Sequence, residues 1–454
     1  MRLKPFFLFF LVSVSVLWSC SPADSIHSQF DTKEEILKRI IPPTIPQREF
    51  VVTSFGAAAD GMSNSKPAFD AAISAAQQSG GGRVVVPAGV YLLHGPIHLV
   101  SNMELHLSEG AHLRFSSNPQ HYLPVVSTCW EGTLLFNYSP FIYAYQCENI
   151  AITGSGLIDG AAANTWQLWR EVQGPSQQLS RQMNNGSVPL QERIFGEGHY
   201  LRPHLIQLYD CKNILIEDVK IIDSPFWCIH LLMCTNATVR GVRFDTHNKN
   251  NDGIDPEYSQ DVLIENVEFN NGDDNVAIKA GRDLEGRTLG LSSKNIIVRN
   301  CKLRGLHGIV IGSEMSAGVH NVYVDSCEAW GYLKRGLYIK SNPDRGGEIS
   351  NIFFRNIKLQ TVEDCFFITS FYHQEGEGHV TSIHSIFVED VYCPEATAAG
   401  IVVHGFPTHK IHNINFTNVK IDKAQIAFDL RDARQVVLED ISIGGEAGPP
   451  SWAQ

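Results

Sequence analysis

The sequence predicts an all-β fold, a parallel β-helix, and three observations carry that prediction. A short unit recurs from Asn149 onward. Each copy alternates apolar and polar residues with period two, the pattern of a strand with one buried face. An Ala-rich amphipathic stretch from Lys66 to Gln78 precedes the first strands and suits the cap that an open solenoid end requires. Composition agrees: 454 residues, 43% hydrophobic and 19% charged, with 37 Gly and 21 Pro, describe a turn-rich globular chain and exclude a disordered one.

At the N terminus, Arg2 and Lys4 precede an apolar run from Phe6 to Trp18, followed by Ser19 and Cys20. A basic start, a short apolar core and a small residue at the break are the marks of an export signal. The run is too short for a comfortable membrane span. Its end resembles the lipobox of bacterial lipoproteins, which implies that residues 1–20 are a lipoprotein-type signal and that Cys20 carries the lipid. The alternative is ordinary signal cleavage beside an incidental Cys. The expected location is a bacterial membrane, on its periplasmic or outer-membrane surface. Loss of the first nineteen residues removes two basic and no acidic side chains, taking the formal charge from −12 to −14. Such an acidic chain lacks the basic footprint of a generic nucleic-acid binder. Residues 21–45 are polar with scattered Pro and read as a tether, and 46–446 as the β-helix domain.

In the stretch KPAFDAAISAAQQ, Phe69 and Ile73 lie at i, i+4 on one helix face, and Gly80, Gly81 and Gly82 stop the helix. VVVPAGVYLL follows as the first strands. The repeat then appears as NIAITGSGLIDG from Asn149, NILIEDVKIIDS from Asn213, NATVRGVRF from Asn236, DVLIENVEF from Asp261 and NIIVRNCKL from Asn295. It returns as NVYVDSCEA from Asn321, NIFFRNIKL from Asn351, SIFVEDVYC from Ser385, NINFTNVKI from Asn413 and QVVLEDISI from Gln435. From Asn213 on, anchors 22 to 34 residues apart are too short for four-stranded propeller blades, and no Leu lattice marks a leucine-rich repeat. Asn at the corners suits a β-helix, because Asn tolerates the left-handed turn and its amide can hydrogen-bond along a stack. The insert at 160–203, with Trp166, Trp169 and Tyr200, reads as a wall over one face. Ten cysteines include Cys20, so nine remain. An odd number cannot pair completely, no CxxC spacing marks a zinc site, and small core residues are the expected role.

The chemistry-bearing residues fall in four consecutive coils. Asn250-Asn251-Asp252-Gly253 is followed by Gly272-Asp273-Asp274-Asn275, then by Leu306-His307-Gly308, then by Arg335-Gly336-Leu337-Tyr338-Ile339-Lys340. Adjacent coils would bring three carboxylates, an imidazole and an ammonium onto one edge of the cylinder. Carboxylates on neighbouring rungs can reach the separation of about 6.5–9.5 Å used by inverting glycosidases. Crowding also raises the pKa of one of them, as a general acid requires. Taken alone, each motif is an ordinary turn, and Asp255 and Asp283 read as turn formers.

These residues resemble the motif set of glycoside hydrolase family 28, the polygalacturonases and their relatives. The resemblance runs from about Phe50 to Gly444. It includes FGAAADG, VVVPAGVYLL, RPHLIQL from Arg202, SPFW from Ser224 and GSEMSAGV from Gly312. It implies a right-handed, single-stranded parallel β-helix of the pectin lyase-like kind. It further implies inverting hydrolysis of pectic glycosidic bonds without a metal or cofactor. Carried over by motif, Asp273 corresponds to the general acid, Asp252 and Asp274 to the pair that activates water, and His307 to the site histidine. Lys340 corresponds to the lysine that contacts the galacturonate carboxylate, and Asn250 to a substrate-side residue of the same turn. The implied substrate is an acidic plant-type polysaccharide or oligosaccharide of the cell wall, and the expected state is a monomer. The insert and GSEMSAGV resemble exo-acting bacterial members.

One position departs from the family pattern. Where polygalacturonases carry Arg two residues before the Lys, this chain has Tyr338, and a phenol cannot form the bidentate fork of a guanidinium. Arg335, Arg282 or Arg345 could reach the uronate instead, or Tyr338 could offer a stacking face to a sugar ring. A basic patch of Lys279, Arg282, Arg335, Lys340 and Arg345 inside a negative exterior is expected. Two alternatives stand beside hydrolysis: a Ca²⁺-dependent pectate lyase-type enzyme and a non-catalytic carbohydrate-binding β-helix.

Overall fold

The computed structural model describes residues 31–447 except Glu375 and Gly445, and counts and absences refer to these residues. The export signal and Cys20 lie outside them. The chain winds into a right-handed parallel β-helix whose coils run from the strand Glu49–Val51 to the strand Ala433–Ile443. Three sheets form its sides. The longest begins at Glu49–Val51, a second of eleven strands runs from Ile97–His98 to Ala424–Arg431, and a third of six strands covers the early coils. Pairing is parallel and in register from coil to coil. Ile150, Ile214, Ala237, Val262, Ile296, Val322, Ile352 and Ile386 therefore stack as one continuous interior row.

The corner asparagines behave as their chemistry dictates. Asn149, Asn213, Asn236, Asn295, Asn321 and Asn351 all have φ between 56° and 58°. Their amides form a ladder: Asn213 donates to Asn149 at 3.0 Å, Asn236 to Asn213 at 2.7 Å, Asn321 to Asn295 at 2.7 Å and Asn351 to Asn321 at 2.7 Å. The helix Lys66–Gln78 closes the first coil. Phe69 is fully buried and meets Tyr91 edge-on at 5.9 Å between ring centres. The nine cysteines from Cys129 to Cys393 are unpaired, and all but Cys147 are buried.

The expectation of a tether over 21–45 is corrected for its described part. Lys33–Arg39 is a helix, opened by a Thr32/Glu35 capping box. Ile36 and Ile40 lie on an outward apolar stripe of the long sheet formed by Leu263, Ile297, Tyr323 and Phe353. Lys33 pairs with Asp325 at 2.5 Å and Arg39 with Asp261 at 2.9 Å. A mostly polar composition hid three apolar side chains, Ile36, Leu37 and Ile40, spaced to meet that stripe.

Candidate active site

The site lies on the outer face of the eleven-stranded sheet. The strands Asp274–Ile278, His307–Ile311, Leu333–Lys340 and Thr361–Thr369 are successive neighbours there. Register places Asp274, His307, Arg335 and Asp364 in one outward column, two basic groups between two carboxylates. His307 Nδ1 donates to Asp274 Oδ1 at 2.6 Å, and Lys340 Nζ donates to Asp274 Oδ2 at 3.0 Å.

The turns that deliver the carboxylates are held by their own asparagines. Asn251 Nδ2 donates to the carbonyls of Ser224 and Phe226 at 2.9 Å each. Asn271 Nδ2 donates to the carbonyls of Asn251 at 2.8 Å and Asp274 at 2.9 Å. Asn250, at φ 60°, accepts from Arg202 at 2.7 Å, and its own N–H points to Asp273 Oδ2 at 3.3 Å. Gly253 and Gly272 let the rungs approach: a Cβ at either would stand 2.6 Å and 2.4 Å from a backbone oxygen of a neighbouring turn. Asp252, Asp273, Asp274, Lys340 and Asn250 thus line one cavity of about 220 Å³.

Two elements wall that cavity. One is the antiparallel hairpin of Val126–Trp130 and Thr133–Asn137. The other is the helix Gly174–Asn185 of the insert, whose Gln177 donates to Glu131 at 2.8 Å and whose Arg181 lies 3.4 Å from the same carboxylate. Asn184 fastens the helix to Thr133 Oγ1 at 3.0 Å and to the carbonyl of Arg282 at 3.1 Å. A second cavity, about 540 Å³, extends toward the later coils. It shares Asp273 and Lys340 with the first and adds His307, Arg335, Tyr338 and Phe367.

The carboxylates differ in charge state. Burial opposes the charge of Asp274, but Lys340 and His307 outweigh it and hold its carboxyl well below the usual range. Asp273 is raised by burial and by Asp274, with Lys340 and His307 only partly compensating. Asp252 is raised well above the usual range by burial and by Asp255, Asp273 and Asp274. Asp255, wholly buried, lies 3.6 Å from Lys279 and shares the Asp252 environment. Lys279 Nζ is also 3.8 Å from Asp252 and 3.4 Å from Glu314, and sits 4.4 Å above the Trp227 ring.

Three expectations are corrected here. Asp255 and Asp283 are more than turn formers: Asp255 joins the carboxylate cluster, and Asp283 pairs with Arg345 and lies 3.3 Å from Arg282. The five basic residues do line the cleft, but Lys279, Arg282, Lys340 and Arg345 each face a carboxylate, so they make a balanced network rather than a bare positive patch. Tyr338 is not an open stacking face, being 5% exposed and surrounded by Arg335, Lys340, His307, Phe367 and Tyr372. From the sequence, Asp255 reads only as a turn former, Trp227 and Glu314 stand in SPFW and GSEMSAGV without a role, and nothing marks Tyr372. Asp255 had a signal, since it alternates outward with the core-facing Ile254 in a strand one rung before Asp274.

Carboxyls held side by side in opposite states, with a cation and an imidazole on one of them, at the edge of a cavity, form the apparatus of a glycoside hydrolase. The chain belongs to glycosyl hydrolases family 28, whose model matches residues 84–436, and a model for rhamnogalacturonase A/epimerase, pectate lyase-like proteins matches residues 50–106. Among solved structures it is similar to a hyperthermoactive exopolygalacturonase from Thermotoga maritima. The two are 39% identical, with 91% of this chain and 96% of that one covered and a TM-score of 0.88. It is 27% identical over 391 residues to a probable polygalacturonase of Vitis vinifera, covering 82% of this chain and 74% of the relative. It is also 27% identical over 340 residues to an endo-polygalacturonase of Pectobacterium carotovorum, covering 72% and 77%.

Proposed function

We propose that this hydrolase removes sugars from the end of a galacturonan-like chain by inverting, single-displacement hydrolysis, and that it does so at a bacterial membrane surface while anchored through Cys20. Asp273 protonates the leaving oxygen. Asp274, paired with Asp252, takes the proton of the attacking water. His307 keeps Asp274 oriented, and Lys340 lies where a uronate carboxylate would enter. The observation that carries this reading is the split between Asp273 and Asp274: one carboxyl is raised and able to hold a proton, and its neighbour is fastened in the charged state by donors at 2.6 Å and 3.0 Å.

The end-wise mode draws support from the wall of Glu131, Gln177 and Arg181, which bounds the smaller cavity on the side of the earlier coils. The exopolygalacturonase name of the Thermotoga relative points the same way. A lyase reading is disfavoured by the positive Lys340 ammonium 3.0 Å from Asp274, which already balances the charge that a Ca²⁺ ion would meet there.

The test is digestion of oligogalacturonides of defined length, with product mass and anomeric configuration read at early times. Release from one end with inverted configuration is expected. Unsaturated products, or retained configuration, would overturn the reading. Fractionation of cells producing the full chain should place it with membranes, and Cys20→Ser should release it to the soluble fraction.

A further inference from the structure

We infer that Arg335, set in the corner between Tyr338 and Phe367, grips the carboxylate of the sugar seated in the larger cavity, next after the terminal sugar that the walled cavity takes in, doing so in place of the arginine that this chain lacks two residues before Lys340. The inference rests on the uronate reading above and names the residue that gives it specificity.

The geometry narrows the choice among the three arginines. Arg345 is buried and pairs with Asp283 while also donating to the carbonyl of Ser313 at 2.7 Å. Arg282 lies 3.3 Å from Asp283, 3.4 Å from Glu314 and 3.9 Å from Glu131. Both line the walled cavity, and neither lines the larger one. Arg335 lines the larger cavity together with Asp273, His307 and Lys340. Its guanidinium carbon lies 4.5 Å from the centre of the Tyr338 ring and 4.1 Å from that of Phe367. Its Nε lies 3.3 Å from Asp364 Oδ2, so the carboxylate meets the stem side of the group. The two terminal nitrogens make no hydrogen bond among the described residues, and they form the edge that a carboxylate takes bidentately.

The two rings stand at 89° with centres 5.6 Å apart, and a planar cation resting against both loses little freedom when a ligand arrives. Gly336 is part of the arrangement. A Cβ there would stand 2.7 Å from Leu359 Cδ1 and 2.8 Å from the Cys365 carbonyl, so the strand can press inward directly after Arg335 only without a side chain. Tyr338 thus has a task that explains its presence: it occupies the departed position and props a guanidinium supplied three residues earlier. Asp364, which touches Arg335 and does not line the larger cavity, is a positioning residue.

The experiment compares kcat/KM for a trigalacturonate with free carboxylates and for the same trimer methyl-esterified on the sugar that follows the cut. For the unaltered enzyme, esterification should lower kcat/KM on the order of 10²-fold, as expected for removing one partner of a buried charge pair. Arg335→Gln should lose a similar factor on the free acid and no longer distinguish acid from ester, and Arg335→Gln with Asp364→Asn, which leaves no buried carboxylate unpaired, should do the same while keeping the thermal midpoint. Adding Tyr338→Arg to Arg335→Gln should recover at least about tenfold on the free acid. Retention of kcat/KM within about threefold by Arg335→Gln, or equal discrimination of acid from ester by both enzymes, would overturn this inference alone. If the unaltered enzyme cleaves no galacturonan oligomer, the uronate reading fails and takes the inference with it.

Discussion

Asp273 and Asp274 are adjacent in the chain yet chemically divergent, and the divergence comes from their partners. Asp273→Asn should therefore remove turnover by about 10²–10⁴-fold while leaving the fold intact, measured by initial rates and by circular dichroism. Asp252 presents the opposite balance between activity and stability. Its raised carboxyl means that, as pH climbs past the ordinary Asp range, the unfolded chain has released a proton that the folded chain still holds. Stability then falls with rising pH. Asp252→Asn should lose activity, raise the unfolding midpoint above about pH 5, and flatten that slope, because it removes charge from a crowd of buried carboxylates. Asp274 works with the other sign: its depressed carboxyl contributes stability that is present above the unfolded value and lost as pH falls through the folded one. Lys340→Met should move the acid limb of the kcat/KM profile upward, since the ammonium 3.0 Å away is the leading cause that keeps Asp274 charged.

At the scale of elements, stacked turns set what each strand can offer the site. Gly253 and Gly272 permit the spacing, and the asparagines 251 and 271 fix the turns by four hydrogen bonds to backbone carbonyls. The repeat itself was readable from alternation, and the corner ladder from the preference of Asn for left-handed turns. The helix Lys33–Arg39 was not, because its docking stripe is assembled from four separate strands. Ile36→Asp should cost about 2–4 kcal/mol of stability through loss of this buried contact, or release the helix locally, with hydrogen exchange over 33–41 rising in either case. The helix Gly174–Asn185 was legible as part of an insert, but the hairpin that braces it from residues 126–137 was not, since nothing in its composition announces a partner fifty residues away.

Across the whole molecule, a formally acidic chain sets Lys279, Arg282, Lys340 and Arg345 where they face carboxylates inside the cleft. Buried pairs of this kind are weakly screened, whereas the encounter with an acidic polymer is a long-range matter. Raising salt from 0.02 to 0.3 M, both on the order of ordinary assay conditions, should therefore change KM for a long polymer by several-fold while kcat moves less than about twofold. EDTA should leave the rate unchanged, because the Lys340 ammonium 3.0 Å from Asp274 already supplies the positive charge that a cation would bring to this carboxylate.

The sequence alone determined the solenoid, the cap over Lys66–Gln78 and the four coils that carry Asp252, Asp273, Asp274, His307 and Lys340, because periodicity and motif spacing are properties of neighbouring residues along one chain. Tertiary structure decided which carboxyl stays charged, which arginine faces the second cavity, and what Tyr338 does. Those outcomes depend on burial and on distances of a few ångströms between coils 22 to 34 residues apart, and electrostatic interaction in a dry site is set by such distances rather than by order in the chain.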